Sequence, residues 1–170
     1  DLTGISCFSN LMLLNCIGTN LKELDLSQNK ILGILNCTGN QIASLTLPET
    51  TTPLSVDCSN NQLTELQLSG NMLQILNCSE NQLSELDFSK VPNLTTLDCS
   101  GNHLTSLDIT SLSQLTSCTC ENNAAQISAI PVSGSDDTLY YADLSALPGF
   151  DVSRVAPADA SSDTPFFTNG

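Results

Sequence analysis

The sequence predicts a mostly β solenoid, in which short parallel strands stack about every 21 residues and helices are few or absent. Three observations predict this fold class. Six cysteines recur at intervals of 20 or 21 residues, an asparagine follows all but the first of them by three positions, and leucine accounts for 28 of the 170 residues. A repeat of this length cannot bury its own apolar face, so its core forms only between stacked neighbours.

Composition excludes two classes of partner. The chain carries 18 acidic and four basic side chains, a formal net charge of −14. Binding to nucleic acid requires a basic surface that neutralises phosphates, so we expect no nucleic-acid partner. No apolar run approaches the ~18–20 residues that span a bilayer, so we expect no membrane insertion.

One copy of the repeat reads LQILNCSENQLSELDFS over residues 73–89. The pattern L-x-x-L-x-C-x-x-N-x-L-x-x-L-x-L, from about residue 2 to 132, resembles the leucine-rich repeat family and, more narrowly, its bacterial, internalin J-like cysteine-ladder subtype. The resemblance implies a leucine-rich-repeat solenoid that is a curved, right-handed coil. It is specific for the architecture and nearly silent on the ligand, because a fold does not fix a function.

Each repeat contains two short segments with the alternation of a β-strand. In the first segment Leu76 and Cys78 should point into the core, whereas Ile75, Asn77 and Ser79 should point outward. The second segment, residues 86–88, should line the opposite wall. By resemblance, the first segments build the concave face.

Two columns of the repeat are interpreted as structural. The asparagines should satisfy backbone groups at the turns rather than form a polar ligand ladder; they are Asn40, Asn61, Asn81, Asn102 and Asn123, with Thr19 in the first full copy. The cysteines are expected to be reduced, buried thiols, because side chains in one column point in parallel and no CxxC pair accompanies them. They are Cys16, Cys37, Cys58, Cys78, Cys99 and Cys120. Cys118 takes an inward leucine position, and Cys7 falls in the second half of an incomplete first repeat.

The ends depart from the repeat. We expect the solenoid over residues 1–132, with about six full repeats and a partial first one, a degenerate C-terminal cap over 133–155, and a tail or linker stub over 156–170. In the third repeat Pro53 replaces the leading leucine, so that edge should be irregular. We expect a monomer, whose uncapped N-terminal repeat is the place where two copies would meet end to end.

The sequence offers no catalytic constellation, cofactor motif or metal site. The one histidine, His103, lies in a loop position and has no positioned serine beside it. The carboxylates of the second half-repeats should stay solvated; they are Glu23, Asp25, Glu65, Glu85, Asp87 and Asp108. Calcium bound across them is a weaker alternative. We therefore expect a protein that is not an enzyme.

The outward positions of the first segments form two candidate binding columns. The residues selected are Leu13, Asn15, Ile34, Asn36, Asp57, Ile75, Asn77 and Asp98. The preferred hypothesis is a protein-binding scaffold of a bacterial secreted or cell-surface protein, acting in adhesion or host-protein interaction. The alternatives are a structural spacer without a ligand, which the lack of Trp, Tyr and Arg in these columns favours, and an effector in the host cytosol, which free thiols would tolerate.

Overall fold

The structure is a computed structural model that describes residues 2–68 and 72–124. Within these residues it is a solenoid of stacked coils, which confirms the predicted fold class. In chain order the strands are β1 (Leu13–Asn15), β2 (Glu23–Asp25), β3 (Ile34–Asn36), β4 (Ser44–Thr46), β5 (Leu54–Asp57), β6 (Leu73–Asn77), β7 (Thr96–Asp98) and β8 (Ser117–Thr119). Helical structure in the described part of the chain is one 3-10 turn, Ile5–Cys7.

The main sheet has six parallel strands in the order β1-β3-β5-β6-β7-β8, one from each coil. Each strand is only three to five residues long, because the chain must turn twice within every repeat. β2 and β4 pair separately on the opposite wall. That wall keeps its apolar alternation in later coils without strand pairing, since Leu66, Leu68 and Phe88 are still buried.

The core is a stack of leucines and cysteines between the two walls. Leu76 and Cys78 are fully buried, as the alternation predicts, and Leu73 and Leu83 fill the corners. All six ladder cysteines are buried. Small thiols suit the ladder position because neighbouring parallel strands lie only about 4.8 Å apart.

The third coil contains the irregularity that the prolines predict, but at a different position. The leading leucine is not replaced by Pro53: Leu54 takes that position, is buried, and pairs with Leu73. The register then shifts, so that Ser55 pairs with Ile75 and Gln74 has no partner in β5. The shift restores alignment because this coil is one residue shorter between its leading leucine and its cysteine.

Two further expectations are corrected. Cys7 is exposed and lies in the 3-10 turn, not in an extended second half-repeat; the turn forms because Cys7 N donates to Gly4 O. Ser79, which was expected to be an exposed outward position, is buried, and its hydroxyl donates a hydrogen bond to Asn77 Oδ1 at 2.7 Å. The predicted cap at 133–155 and tail at 156–170 lie outside the described residues. In the described part of the chain, no helix has the length and apolarity needed to cross a membrane.

Candidate functional site

The outward side chains of the six-stranded sheet form the surface that we call the sheet face. The strand register aligns them in two columns. The first column consists of Leu13, Ile34, Ser55, Ile75, Thr96 and Ser117, and the second of Asn15, Asn36, Asp57, Asn77, Asp98 and Thr119. All eight residues selected from the sequence therefore lie on one continuous surface.

The first column exposes large aliphatic side chains. Leu13 is 57% exposed, Ile34 49% and Ile75 44%. Leu13 lies in the edge strand, whereas Ile34 and Ile75 lie in interior strands with a neighbour on each side. The exposure of the two isoleucines is thus a property of the sheet face and not of an open end of the sheet.

The second column has a structural task that sequence reasoning missed. In each of the first five coils, the side-chain oxygen Oδ1 of the strand's last Asn or Asp accepts a hydrogen bond from the backbone N–H two residues later. Asp57 Oδ1 lies 3.1 Å from Ser59 N and 2.6 Å from Ser59 Oγ. This local bond ends the strand and starts the turn. In four of these five coils the signal was present in the sequence, as an Asn or Asp two positions before a Ser or Thr, whereas in the first coil the donor is Ile17.

Charge on the sheet face has one sign. Asp57 and Asp98 are half-buried in the second column, and Glu80 and Glu121 lie in the turns that follow β6 and β8. The lysines of the described residues, Lys22, Lys30 and Lys90, all lie outside the six-stranded sheet and its following turns.

The turns that follow these strands share a left-handed residue. Its φ is 60° at Gly18, 67° at Gly39, 54° at Asn60, 52° at Glu80, 62° at Gly101 and 54° at Asn122. Glycine and asparagine tolerate this conformation, and glutamate does not tolerate it well. The Glu80 side chain reaches the next coil, where a Cβ on Gly101 would lie 2.5 Å from Glu80 Oε1.

The asparagine ladder joins consecutive coils, as the sequence predicts. Asn61 Nδ2 donates to Cys37 O of the preceding coil at 3.0 Å and to Cys58 O of its own coil at 3.1 Å. Its Oδ1 accepts from Ile42 N at 2.9 Å. The same arrangement recurs at the other ladder asparagines. These amides are buried and fully engaged, so they serve the fold.

Burial favours the protonated form of the ladder thiols. All eight cysteines are free thiols. Burial, with smaller contributions from Cys16 and Asp57, raises the pKa of Cys37 to about 12. Burial likewise raises the pKa of Cys58, Cys78 and Cys99 well above the usual range. A thiol that stays protonated is a poor nucleophile and metal ligand.

The opposite wall carries the solvated carboxylates predicted from the sequence, and all six are exposed. Hydrogen bonds from Ser89 and Thr110 lower the pKa of Asp87 and Asp108, and Ser27 does the same for Asp25. Among the described residues no group of three or more His, Cys, Asp or Glu side chains is placed to hold a metal ion.

A shallow groove of about 400 Å³ lies between the N-terminal turn and β2. His103 is exposed and far in sequence from this groove.

Comparison with known proteins agrees with the repeat pattern. A family model described as leucine-rich repeats in two copies matches residues 71–114, and a leucine-rich repeat model matches residues 20–38. A solved structure described as the functional domain of InlJ from Listeria monocytogenes, which includes a cysteine ladder, is 33% identical with a TM-score of 0.63. The match covers 70% of this chain and 27% of that chain, so this protein spans about a quarter of its length. A search of curated protein sequences gives no significant match.

Proposed function

We propose that this chain, a solenoid of leucine-rich repeats similar to InlJ in its cysteine ladder, is a non-enzymatic scaffold that binds a protein on its sheet face. Leucine-rich-repeat domains generally bind proteins, and solenoids present extended surfaces for this purpose. The observation that carries the proposal is the exposure of Ile34 and Ile75 on interior strands of the six-stranded sheet. Contiguous exposed apolar groups mark protein contacts, and Leu13 lies opposite Ile34 on the neighbouring strand.

The proposed contact surface combines the two columns. It consists of Leu13, Asn15, Ile34, Asn36, Asp57, Ile75, Asn77 and Asp98. The aliphatic side chains would supply the buried part of an interface, and the Asn and Asp groups would supply its polar rim. We further propose that the protein is monomeric, that it is secreted or displayed on a bacterial cell surface, and that it acts in adhesion or in binding a host protein.

The second candidate is a structural spacer without a ligand. It is favoured by the strand-ending hydrogen bonds of the second column, which give those polar side chains a role in the fold. A spacer would not require exposed aliphatic side chains in the first column. Substitutions in the first column therefore distinguish the binding scaffold from the spacer.

The test is capture of extracellular host proteins by two double variants. Ile34→Arg/Ile75→Arg places two long cations on the sheet face. Thr46→Arg/Gln67→Arg makes the same charge change at two exposed positions of the opposite wall. Equal urea midpoints of the two variants establish matched folding.

We expect a protein captured by the wild type and by Thr46→Arg/Gln67→Arg, but lost with Ile34→Arg/Ile75→Arg. Identical capture profiles for all three proteins would overturn the proposal and leave the spacer.

A further inference from the structure

The aliphatic and acidic groups of the sheet face lie side by side. Ile34 and Ile75 are two strands apart, which is about 10 Å at the usual strand spacing. Asp57 and Asp98 lie in the column next to the isoleucines and are also two strands apart. Each aspartate is on the strand that follows the strand of one isoleucine in the sheet. A partner that covers the isoleucines therefore meets both carboxylates.

The fold does not require these two carboxylates to be charged. The strand-ending bond needs an acceptor oxygen, and Asn15, Asn36 and Asn77 supply it with an amide. Asp57 and Asp98 make the same bonds to Ser59 and Ser100. Within the described part of the chain their hydrogen bonds use Oδ1, which leaves Oδ2 for a partner. The negative charges of Asp57 and Asp98 therefore have no role in ending the strands that an amide could not fill, and they are available to attract a partner.

Other carboxylates near the sheet face carry the same negative charge as Asp57 and Asp98. Glu80 and Glu121 lie in the turns after β6 and β8, and the described lysines lie elsewhere. An acidic partner would be repelled by such a surface, and a basic partner would be attracted and oriented by it.

We propose that the sheet face binds a basic, amphipathic protein segment, whose aliphatic side chains pack on Ile34 and Ile75 while its Lys or Arg side chains pair with Asp57 and Asp98. This inference rests on the proposed function and names the chemistry of its partner. The half-buried position of the two carboxylates makes each pair stronger than one at a fully solvated site.

The test uses three short synthetic peptides as probes: an amphipathic peptide of leucine and lysine, its leucine and glutamate counterpart, and a serine and lysine peptide of equal charge. They are titrated against the wild type, Asp57→Asn/Asp98→Asn and Asp87→Asn/Asp108→Asn. Both variants remove two charges and keep an acceptor oxygen, but the second pair lies on the opposite wall.

We expect the leucine and lysine peptide to bind the wild type and Asp87→Asn/Asp108→Asn equally. Its affinity for Asp57→Asn/Asp98→Asn should fall about three- to tenfold at low salt, and this difference should shrink at high salt. The other two peptides should bind more weakly to every protein.

Equal losses in the two variants would overturn the inference, because attraction would then depend on net charge alone. Binding of the glutamate peptide as tight as that of the lysine peptide would overturn it as well. Neither result would contradict the proposed function. The capture test with Ile34→Arg/Ile75→Arg examines that function separately, for a partner of any charge.

Discussion

The side-chain amide of Asn61 donates a hydrogen bond of 3.0 Å to the backbone carbonyl of Cys37, one coil earlier in the stack. With its bonds to Cys58 O and from Ile42 N, this buried amide joins two coils at the turn that follows each strand. Cohesion between coils therefore comes from polar bonds at the turns as well as from apolar packing between the walls.

Replacing Asn61 by alanine should destabilise the protein by about 2–3 kcal/mol, because the change leaves buried carbonyl and N–H groups without their partner. The free energy of unfolding in urea measures the loss. Gln62→Ala, at the exposed neighbouring position, should change stability by less than about 0.5 kcal/mol. Equal effects at the two positions would contradict the structural role of the ladder.

Glu80 is the one turn residue among the six that is neither glycine nor asparagine, and its φ is 52°. Glu80→Gly should stabilise the protein by about 0.5–1 kcal/mol, since relief of left-handed strain exceeds the entropy that glycine adds to the unfolded chain. Gly39→Ala, at a φ of 67°, should destabilise it by about 1 kcal/mol. Urea unfolding measures both changes.

The matched control for these turn variants is Gly33→Ala. A Cβ there meets Pro53 O at 3.6 Å and Met12 O at 3.7 Å, which are ordinary contacts. Gly33→Ala should leave stability unchanged or slightly raised. A loss as large as that of Gly39→Ala would show that added volume, not backbone conformation, sets the effect.

The buried thiols predict loss of stability at alkaline pH. In the unfolded chain a thiol loses its proton near pH 8.5–9, whereas burial holds the pKa of Cys37 at about 12. Above pH 9 the folded state therefore binds more protons than the unfolded state, and stability falls as pH rises toward 12. Each such thiol contributes about 1.4 kcal/mol per pH unit.

Urea unfolding between pH 7 and 10.5 in the presence of a reductant checks this slope. Cys7→Ser removes an exposed thiol and should follow the wild-type curve. A flat wild-type profile across this range would rule out buried, protonated thiols.

Thiol accessibility gives an independent prediction. In the native protein Cys7 should react rapidly with an aromatic disulfide reagent, and the six buried ladder thiols should react only after unfolding. Cys7→Ser should remove the rapid phase while leaving the slow one intact. Rapid labelling of Cys58 or Cys78, located by mass spectrometry of peptides, would be incompatible with the closed core.

The sequence by itself determined the period of the solenoid, the direction of most inward side chains and the two outward columns. These follow from a repeat of 20 or 21 residues and from the alternation of a strand, both of which are local properties. The role of the asparagine ladder was predictable too, because a buried amide at a turn must find backbone partners. The residues that share the sheet face were thus predictable from the sequence, although the strand-ending role of its polar column was not predicted.

Only the tertiary structure decided which groups of that column are already engaged and where the pattern breaks. Oδ1 of Asp57 is committed to Ser59, Leu54 takes the corner that Pro53 leaves, and Cys7 lies exposed in a tight turn. Each of these depends on backbone conformation at the ends of strands, where the repeat pattern leaves several turns open. Contact with the adjacent coil selects among them, and the ladder hydrogen bonds between coils join residues up to 24 positions apart in the sequence.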